Sequence, residues 1–315
     1  MSILVVGSIA YDTIKTPVKK VERALGGSAV YFSTVASFFT KVRMVGVAGA
    51  DFADADMDWL KSRNIDTSGL QITSGKTFHW DGEYSAALAD AQTHNTELNV
   101  FENFDPKLEG EMKSPDILFL ANIDPTLQIN VIKQVEKPKL IVLDTMNLWI
   151  DNKLTELKKA FSMVDVLIIN ETEARMLTGE KKVIACGEKL FEFGPKKIVI
   201  KLGEYGATYF GKGPDGISYF FGPAYPTKKI IDPTGAGDSF AGGFVGYLGT
   251  CDTLDDEAFC LAVVYGGVTA SLTVEDFSID RYRGLKADEL QKRFETCYDM
   301  TNFSLERGRK VDFKD

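Results

Sequence analysis

Histidine is almost missing from this chain, with two among 315 residues, and cysteine is scarce at four. Cys186, Cys251, Cys260 and Cys297 form no Cys-x-x-Cys pair. That inventory excludes a zinc site of the usual thiolate and imidazole kind, and it offers no disulfide framework. Free thiols in a reducing compartment are expected. No apolar run approaches the roughly 20 residues of a membrane span. The opening stretch Met1-Ser-Ile-Leu-Val-Val-Gly-Ser8 has no basic region, and its apolar run is too short for a secretion signal. It reads as a buried strand, and a cytoplasmic location with no membrane partner is expected. Positive charge is also in deficit: Lys and Arg number 36 against 45 Asp and Glu, a formal net charge of −9. A general nucleic-acid surface, which needs a basic patch, is excluded. A phosphate ligand held by backbone amides and one or two lysines is not.

What the chain does have is a βα rhythm. Ile3–Ile9, Val42–Ala48, Ile117–Leu120, Leu140–Leu143, Val164–Ile169 and Lys197–Lys201 are short apolar runs, the pattern of parallel strands covered on both faces. Helical periodicity marks Ala29–Thr40, Met57–Arg63, Thr126–Val135, Asn152–Phe161, Asp255–Thr273 and Leu285–Tyr298. Polar residues gather at strand ends: Asn122, Asp124, Asp144, Asn147 and Asn170. In an open α/β sheet that edge is where ligands bind. Lys15–Glu22 is charged and irregular, whereas Gln71–Tyr84 and Thr96–Phe101 alternate like exposed antiparallel strands. Among them His79, Trp80, Asp81 and Tyr84 serve equally well as a packed strand pair or as substrate contacts.

The chain is organised around Ile231-Asp-Pro-Thr-Gly-Ala-Gly-Asp-Ser-Phe240. Pro233 and Gly235 punctuate it, and an apolar helical pattern follows through Phe240, Phe244 and Leu248. The first helical N–H groups, at Gly235, Ala236 and Gly237, lack intrahelical partners and sit at the positive end of the helix dipole. They make a ready anion site. Asp238 lies in the first turn, where a carboxylate either caps the helix or takes a proton from an attacking hydroxyl. Spacing alone leaves both readings open. A second glycine-lysine stretch, Gly206-Ala-Thr-Tyr-Phe-Gly-Lys212, has phosphate-loop spacing. Gly213 stands where Ser or Thr is needed, and Pro214 opposes the helix that must follow, so it reads as a strand and turn.

Asp232–Phe240 resembles the C-terminal signature of the ribokinase/PfkB family of carbohydrate and nucleoside kinases. The resemblance implies a three-layer α/β/α sandwich with a mostly parallel central sheet. It implies one kinase domain over 1–315, with a small β-lid from about 13–23 and 76–103. Asp238 is then the catalytic base, and the Gly235, Ala236 and Gly237 amides form the anion hole. Asp12, after the first strand, would accept substrate hydroxyls. Gly26, Gly27 and Ser28 match the family's glycine-pair hinge by the substrate. Tyr31 stands where the family usually has Asn; with Trp80 and Tyr84 it could stack a base, whereas Asp12, Asn122 and Asp124 suit a polyol. Asn170 and Glu173 match the family's Asn-x-x-Glu motif, which orients magnesium and phosphate through water. The same spacing is that of a capping box. Lys201-x-Gly203 resembles the nucleotide loop, and Gly267 lies on the helix expected along the adenine. Asp232 and Thr234 resemble a monovalent-cation site, so Glu173 and Asp232 are the expected metal-associated residues. The implied cofactors are ATP and Mg²⁺, with K⁺ activation plausible. A small sugar is the expected acceptor, with a nucleoside as the alternative and a non-catalytic sensor as a third reading. A homodimer is expected, because in relatives the lid often doubles as a dimer interface.

Overall fold

Each short apolar run becomes a strand shielded on both faces, as parallel strands require. The computed structural model describes residues 1–86, 88, 91–214 and 216–302. Its strands, in chain order, are β1 (Ile3–Val6), β2 (Ala10–Lys15), β3 (Lys20–Gly26), β4 (Val42–Gly49), β5 (Asp66–Thr73), β6 (Phe78–Tyr84), β7 (Ala91–Glu97), β8 (Ile117–Leu120), β9 (Leu140–Asp144), β10 (Val166–Asn170), β11 (Lys197–Lys201), β12 (Ala207–Gly213) and β13 (Gly216–Gly222). The helices are α1 (Ser28–Ala36), α2 (Asp54–Ser62), α3 (Pro125–Ile132), α4 (Asn147–Asn152), α5 (Leu154–Phe161), α6 (Glu171–Thr178), α7 (Val183–Leu190), α8 (Ala236–Leu248), α9 (Asp256–Thr273) and α10 (Ala287–Thr301).

The central sheet runs β13-β12-β11-β10-β9-β8-β1-β4-β5. Only β12 is antiparallel to its neighbours; the other pairings are parallel. Because strand side chains alternate faces, Ile3, Val5 and Phe119 point one way and Leu4, Val6 and Leu120 the other. The first set packs with Phe32 of α1, Phe244 of α8 and Phe259 of α9. The second packs with Val131 of α3, Phe161 of α5 and Leu190 of α7. This is the expected three-layer arrangement. Fully burying a side chain such as Phe119 or Phe244 stabilises by about 1.5–3 kcal/mol. The order reverses at β1, with β4 on one side and β8 on the other. Such a switch point opens a crevice at the strand C-termini.

A second sheet, β3-β2-β6-β7, stands apart from the first. Ile14, Ala24, Trp80 and Tyr84 on one of its faces pack with Ile231 and Phe277. Ser278 donates its hydroxyl to the Leu25 carbonyl. The small sheet thus lies against the loops flanking α8. It occupies 10–26 and 78–97 rather than 13–23 and 76–103. Positions 87, 89 and 90 of that expected span, and 303–315 of the expected domain, lie outside the described residues.

Three segments differ from the sequence expectation, each for a physical reason. Gln71–Tyr84 is not one exposed antiparallel strand: its start belongs to β5, which lies parallel to β4 as an edge of the central sheet, and its end is β6. An edge strand is covered on fewer sides, which leaves Ile72 51 % exposed and gives the run its amphipathic look. The charged stretch before Gly26 is β3, with Lys20 and Glu22 exposed and Ala24 and Leu25 buried. The helix expected over Asn152–Phe161 starts at Leu154 as α5, and Lys153, whose φ of −141° is not helical, separates it from the short α4 before it. The lysine-bearing stretch at 206–212 is a strand, as its composition implied. No described helix is long and apolar enough to cross a membrane.

Candidate active site

The turn into α8 is built from residues that a larger side chain would break. Gly235 is the N-cap, at φ 75° and ψ 2°, a left-handed conformation that costs a residue with a Cβ about 1–2 kcal/mol. A Cβ there would also lie 2.5 Å from the ring of Tyr31, which packs beneath the turn. Gly235→Ala is therefore expected to lose on the order of 3 kcal/mol of stability, from backbone strain plus overpacking. A denaturant titration checks this, and an unchanged midpoint would show that the turn is not held against Tyr31. Ahead of the turn, Asp232 is fully buried and accepts the Thr234 N–H on Oδ1 at 2.9 Å. Its Oδ2 has no partner among the described residues. Burial raises the Asp232 carboxyl above the ordinary range. The Thr234 hydroxyl bonds the Tyr84 hydroxyl of β6 at 3.1 Å, tying the small sheet to this loop.

Asp238 follows two residues into the helix and is half-buried. No hydrogen bond holds its carboxylate among the described residues, so it is not spent on capping. Burial, then the negative charge of Asp144, raise its pKa to about 7 against the opposing pull of Lys201. Asp12, in β2, comes at the same turn from the other side. It is 4 % exposed, and burial followed by the charges of Asp232 and Asp238 raises its pKa to about 8. Gly26 gives it room, since a Cβ there would lie 2.1 Å from Asp12 Oδ2. Gly27 caps α1 at φ 94°, another backbone that favours glycine. Next to it, the Ser28 N–H bonds Ser8 Oγ at 3.0 Å, and Ser28 Oγ reaches the Asn122 carbonyl at 3.4 Å. Tyr31 is 1 % exposed with its hydroxyl unpartnered. Burial, then the charges of Asp12 and Asp232, raise that phenol well above its usual value.

The third side of the site comes from the ends of β9, β10 and β11. Parallel register sets Asn170 beside Lys201 and ends β9 alongside them. Lys201 Nζ bonds both oxygens of Asp144, at 3.2 and 3.1 Å. The pair is 16 % and 4 % exposed. Burial alone would lower the Lys201 pKa, but the charges of Asp144 and Glu173 overcome it, so the ammonium stays charged. A Cβ on Gly237 would lie 3.2 Å from that Nζ, which places the charge against the α8 turn. Asn170 and Glu173 form a complete capping box. Asn170 N–H and Nδ2 donate to the two Glu173 oxygens at 2.8 and 2.7 Å, and Glu173 N–H donates to Asn170 Oδ1 at 2.8 Å. Burial raises the Glu173 pKa to about 7, opposed by Lys201 and reinforced by Asp144.

Gly203 opens a turn after β11 at φ 59°. Gly267 is half-exposed on α9, where a Cβ would face the Pro223 carbonyl at 3.3 Å. The turn, Asp12, Glu173 and Lys201 are thus brought together, while Gly203 and Gly267 lie on elements flanking them. Asn122 sits at the right sheet edge, but its amide is committed. Its Oδ1 accepts the Trp149 indole N–H at 2.9 Å, and its Nδ2 donates to Met146 Sδ at 3.1 Å. Asp124 caps α3 through the Thr126 N–H and pairs with Lys153. Asp144 is the residue that sequence reasoning undervalued. Its position at a strand end was visible, but its lysine partner is 57 residues away.

Each Glu173 oxygen already accepts one hydrogen bond from Asn170, and no cluster of three His, Cys, Asp or Glu able to hold a metal occurs among the described residues. The donors fit a divalent ion carried on a ligand's phosphates and met through water. The orphaned Asp232 Oδ2 fits a monovalent cation directly.

Known proteins resemble this chain over most of its length. Residues 2–278 match the family described as pfkB family carbohydrate kinase. A cytidine kinase of Thermococcus kodakarensis is 30 % identical over 265 residues, covering 78 % of this chain and 87 % of that protein. A ribokinase of Haemophilus influenzae is 26 % identical over 251 residues, covering 74 % and 75 %. The structure of a Burkholderia thailandensis nucleoside kinase in complex with inosine superposes with a TM-score of 0.76 at 18 % identity, over 94 % of this chain and 98 % of that one.

Proposed function

The chain belongs to the pfkB family of carbohydrate kinases, and from that membership we propose that it moves the γ-phosphoryl group of ATP to a hydroxyl of a ribosyl acceptor. The observation that carries the proposal is the unbonded Asp238 carboxylate at the N-terminus of α8, between Asp12 and Lys201. Asp238 takes the proton of the acceptor hydroxyl as that oxygen bonds to phosphorus. Asp12 accepts a neighbouring hydroxyl and orients the ring. The N–H groups of Gly235, Ala236 and Gly237, with the Lys201 ammonium, receive the negative charge that develops on the phosphoryl oxygens. Asn170 and Glu173 orient the phosphate end through water. A magnesium ion carried on the nucleotide's phosphates would supply charge neutralisation there, held through water by Asn170 and Glu173. The small sheet acts as a lid, held down by Tyr84 on Thr234 and by Trp80 packing toward Phe277 and Ile231. Ribosyl is the acceptor class shared by the names of the cytidine kinase and ribokinase relatives.

An ATP-consumption screen over ribose and the common nucleosides tests the assignment, with Asp238→Asn as the blank. Magnesium-dependent ADP release with at least one ribosyl acceptor is expected, and none with any of them would overturn it. The buried Asp232 Oδ2 supports a cation site beside the anion turn. Rates are accordingly expected to rise several-fold in K⁺ relative to tetramethylammonium at equal ionic strength. Equal rates would remove the cation from the mechanism.

A further inference from the structure

We infer that the acceptor carries a nucleobase, and that Trp149 with Met146 forms the apolar wall against which the base lies. The inference rests on the kinase reading above and names its substrate class. It starts from the commitment of Asn122. Both ends of that amide are occupied, the oxygen by the Trp149 indole N–H at 2.9 Å and the nitrogen by Met146 Sδ at 3.1 Å. Asn122 cannot serve a sugar hydroxyl without releasing one of them. It acts as a bracket that fixes both side chains.

Their place in the fold makes the bracket consequential. Met146 lies two residues past Asp144, whose carboxylate holds the Lys201 ammonium. Asn122 follows β8, and its carbonyl meets Ser28, beside the Gly26-Gly27 turn that closes on Asp12. The pair therefore sits at the strand-end edge between Asp144 and Ser28, with Trp149 itself packed against the core layer of α3, α5 and α7. Its surface is apolar and only partly covered: Met146 and Trp149 are half-buried, and neighbouring Leu148 is 45 % exposed. With its N–H already satisfied, the indole has only its ring face left to offer, which suits stacking on a flat aromatic group. A free pentose has no flat aromatic group to cover the indole face and gains less there than a nucleobase does. Nucleosides unite the two requirements, since their ribose suits Asp12 and their base suits the wall.

The test measures equilibrium binding of cytidine, uridine, adenosine and ribose by calorimetry, on the wild type, Trp149→Ala and Trp149→Phe. Phe keeps one six-membered ring face while losing the N–H, so both variants lose the Asn122 bond and only Ala also loses the ring face. Wild type is expected to prefer at least one nucleoside over ribose. That preference should fall about tenfold or more in Trp149→Ala, the scale of losing a base-stacking ring, and stay within about threefold in Trp149→Phe. The inference is overturned if Trp149→Ala keeps the wild-type preference, or if the wild type binds ribose more tightly than all three nucleosides. Nucleoside binding that depends on Trp149 without any ADP release would uphold the wall and sink the phosphotransfer reading, so the two failures are distinguishable.

Discussion

Replacing Asp238 with Asn is expected to lower kcat by about 10²–10⁴-fold, the range for loss of a positioned general base, while the KM for ATP moves little. The amide keeps the shape of the carboxylate but cannot accept the proton. The wild-type pH profile carries the same signature. With a pKa of about 7 in the ligand-free protein, Asp238 ionises as pH rises through that value, so kcat/KM should climb through about 7 and level off. The Asn variant's residual rate should lack that step. Stability has the opposite sign. A carboxyl whose pKa is raised on folding leaves the native state holding more protons than the unfolded chain between about pH 4 and 7. Ionising it therefore costs stability as pH rises through that window. Asp238→Asn removes that cost, and at pH 8 the ligand-free variant should melt no lower than the wild type. A variant that is inactive yet fully stable separates chemistry from folding. Wild-type turnover in this variant would remove Asp238 from the mechanism.

Lys201→Met carries the second large effect. The Lys201 ammonium lies against the α8 turn, so its loss should lower kcat/KM on the order of 10²-fold, as for one preorganised charge-stabilising donor. The variant also unmasks Asp238. Lys201 is what holds the Asp238 pKa down against burial and Asp144, so the midpoint of the pH–rate profile should move upward. A price in folding is expected too, because Asp144 is left buried and unpaired, a loss of about 3–5 kcal/mol. Pairing Lys201→Met with Asp144→Leu distinguishes the two consequences. Replacing both partners of a buried ion pair by apolar side chains is often neutral or stabilising, so chemical denaturation should show stability returning while activity stays low. Recovery of activity along with stability would mean that the pair is only structural.

The anchor stretch was legible because a helix N-terminus is a local object. Pro233, Gly235 and the apolar period after Asp238 announce it, and its free N–H groups follow from helix geometry alone. The Asn170–Glu173 box was legible for the same reason, both partners lying within one turn. Where partners are distant, the sequence was silent. Nothing near Asn122 announces Trp149 and Met146, which spend its amide and turn an expected polyol contact into a support. Asp144 and Lys201 meet only because β9, β10 and β11 lie in parallel register with their ends at one edge. The split of the alternating run Gln71–Tyr84 between β5 and β6 was hidden too, since an edge strand of the central sheet and a strand of the small sheet share one pattern.

The sequence by itself determined that this is a covered, mostly parallel α/β chain carrying a bare-amide turn with a carboxylate in it. Periodicity and helix-end chemistry are written within a few residues of each other. Tertiary structure decided which charges face that carboxylate and how its pKa is set. Burial and the electrostatic fields of groups dozens of residues away exist only once the strands are laid side by side.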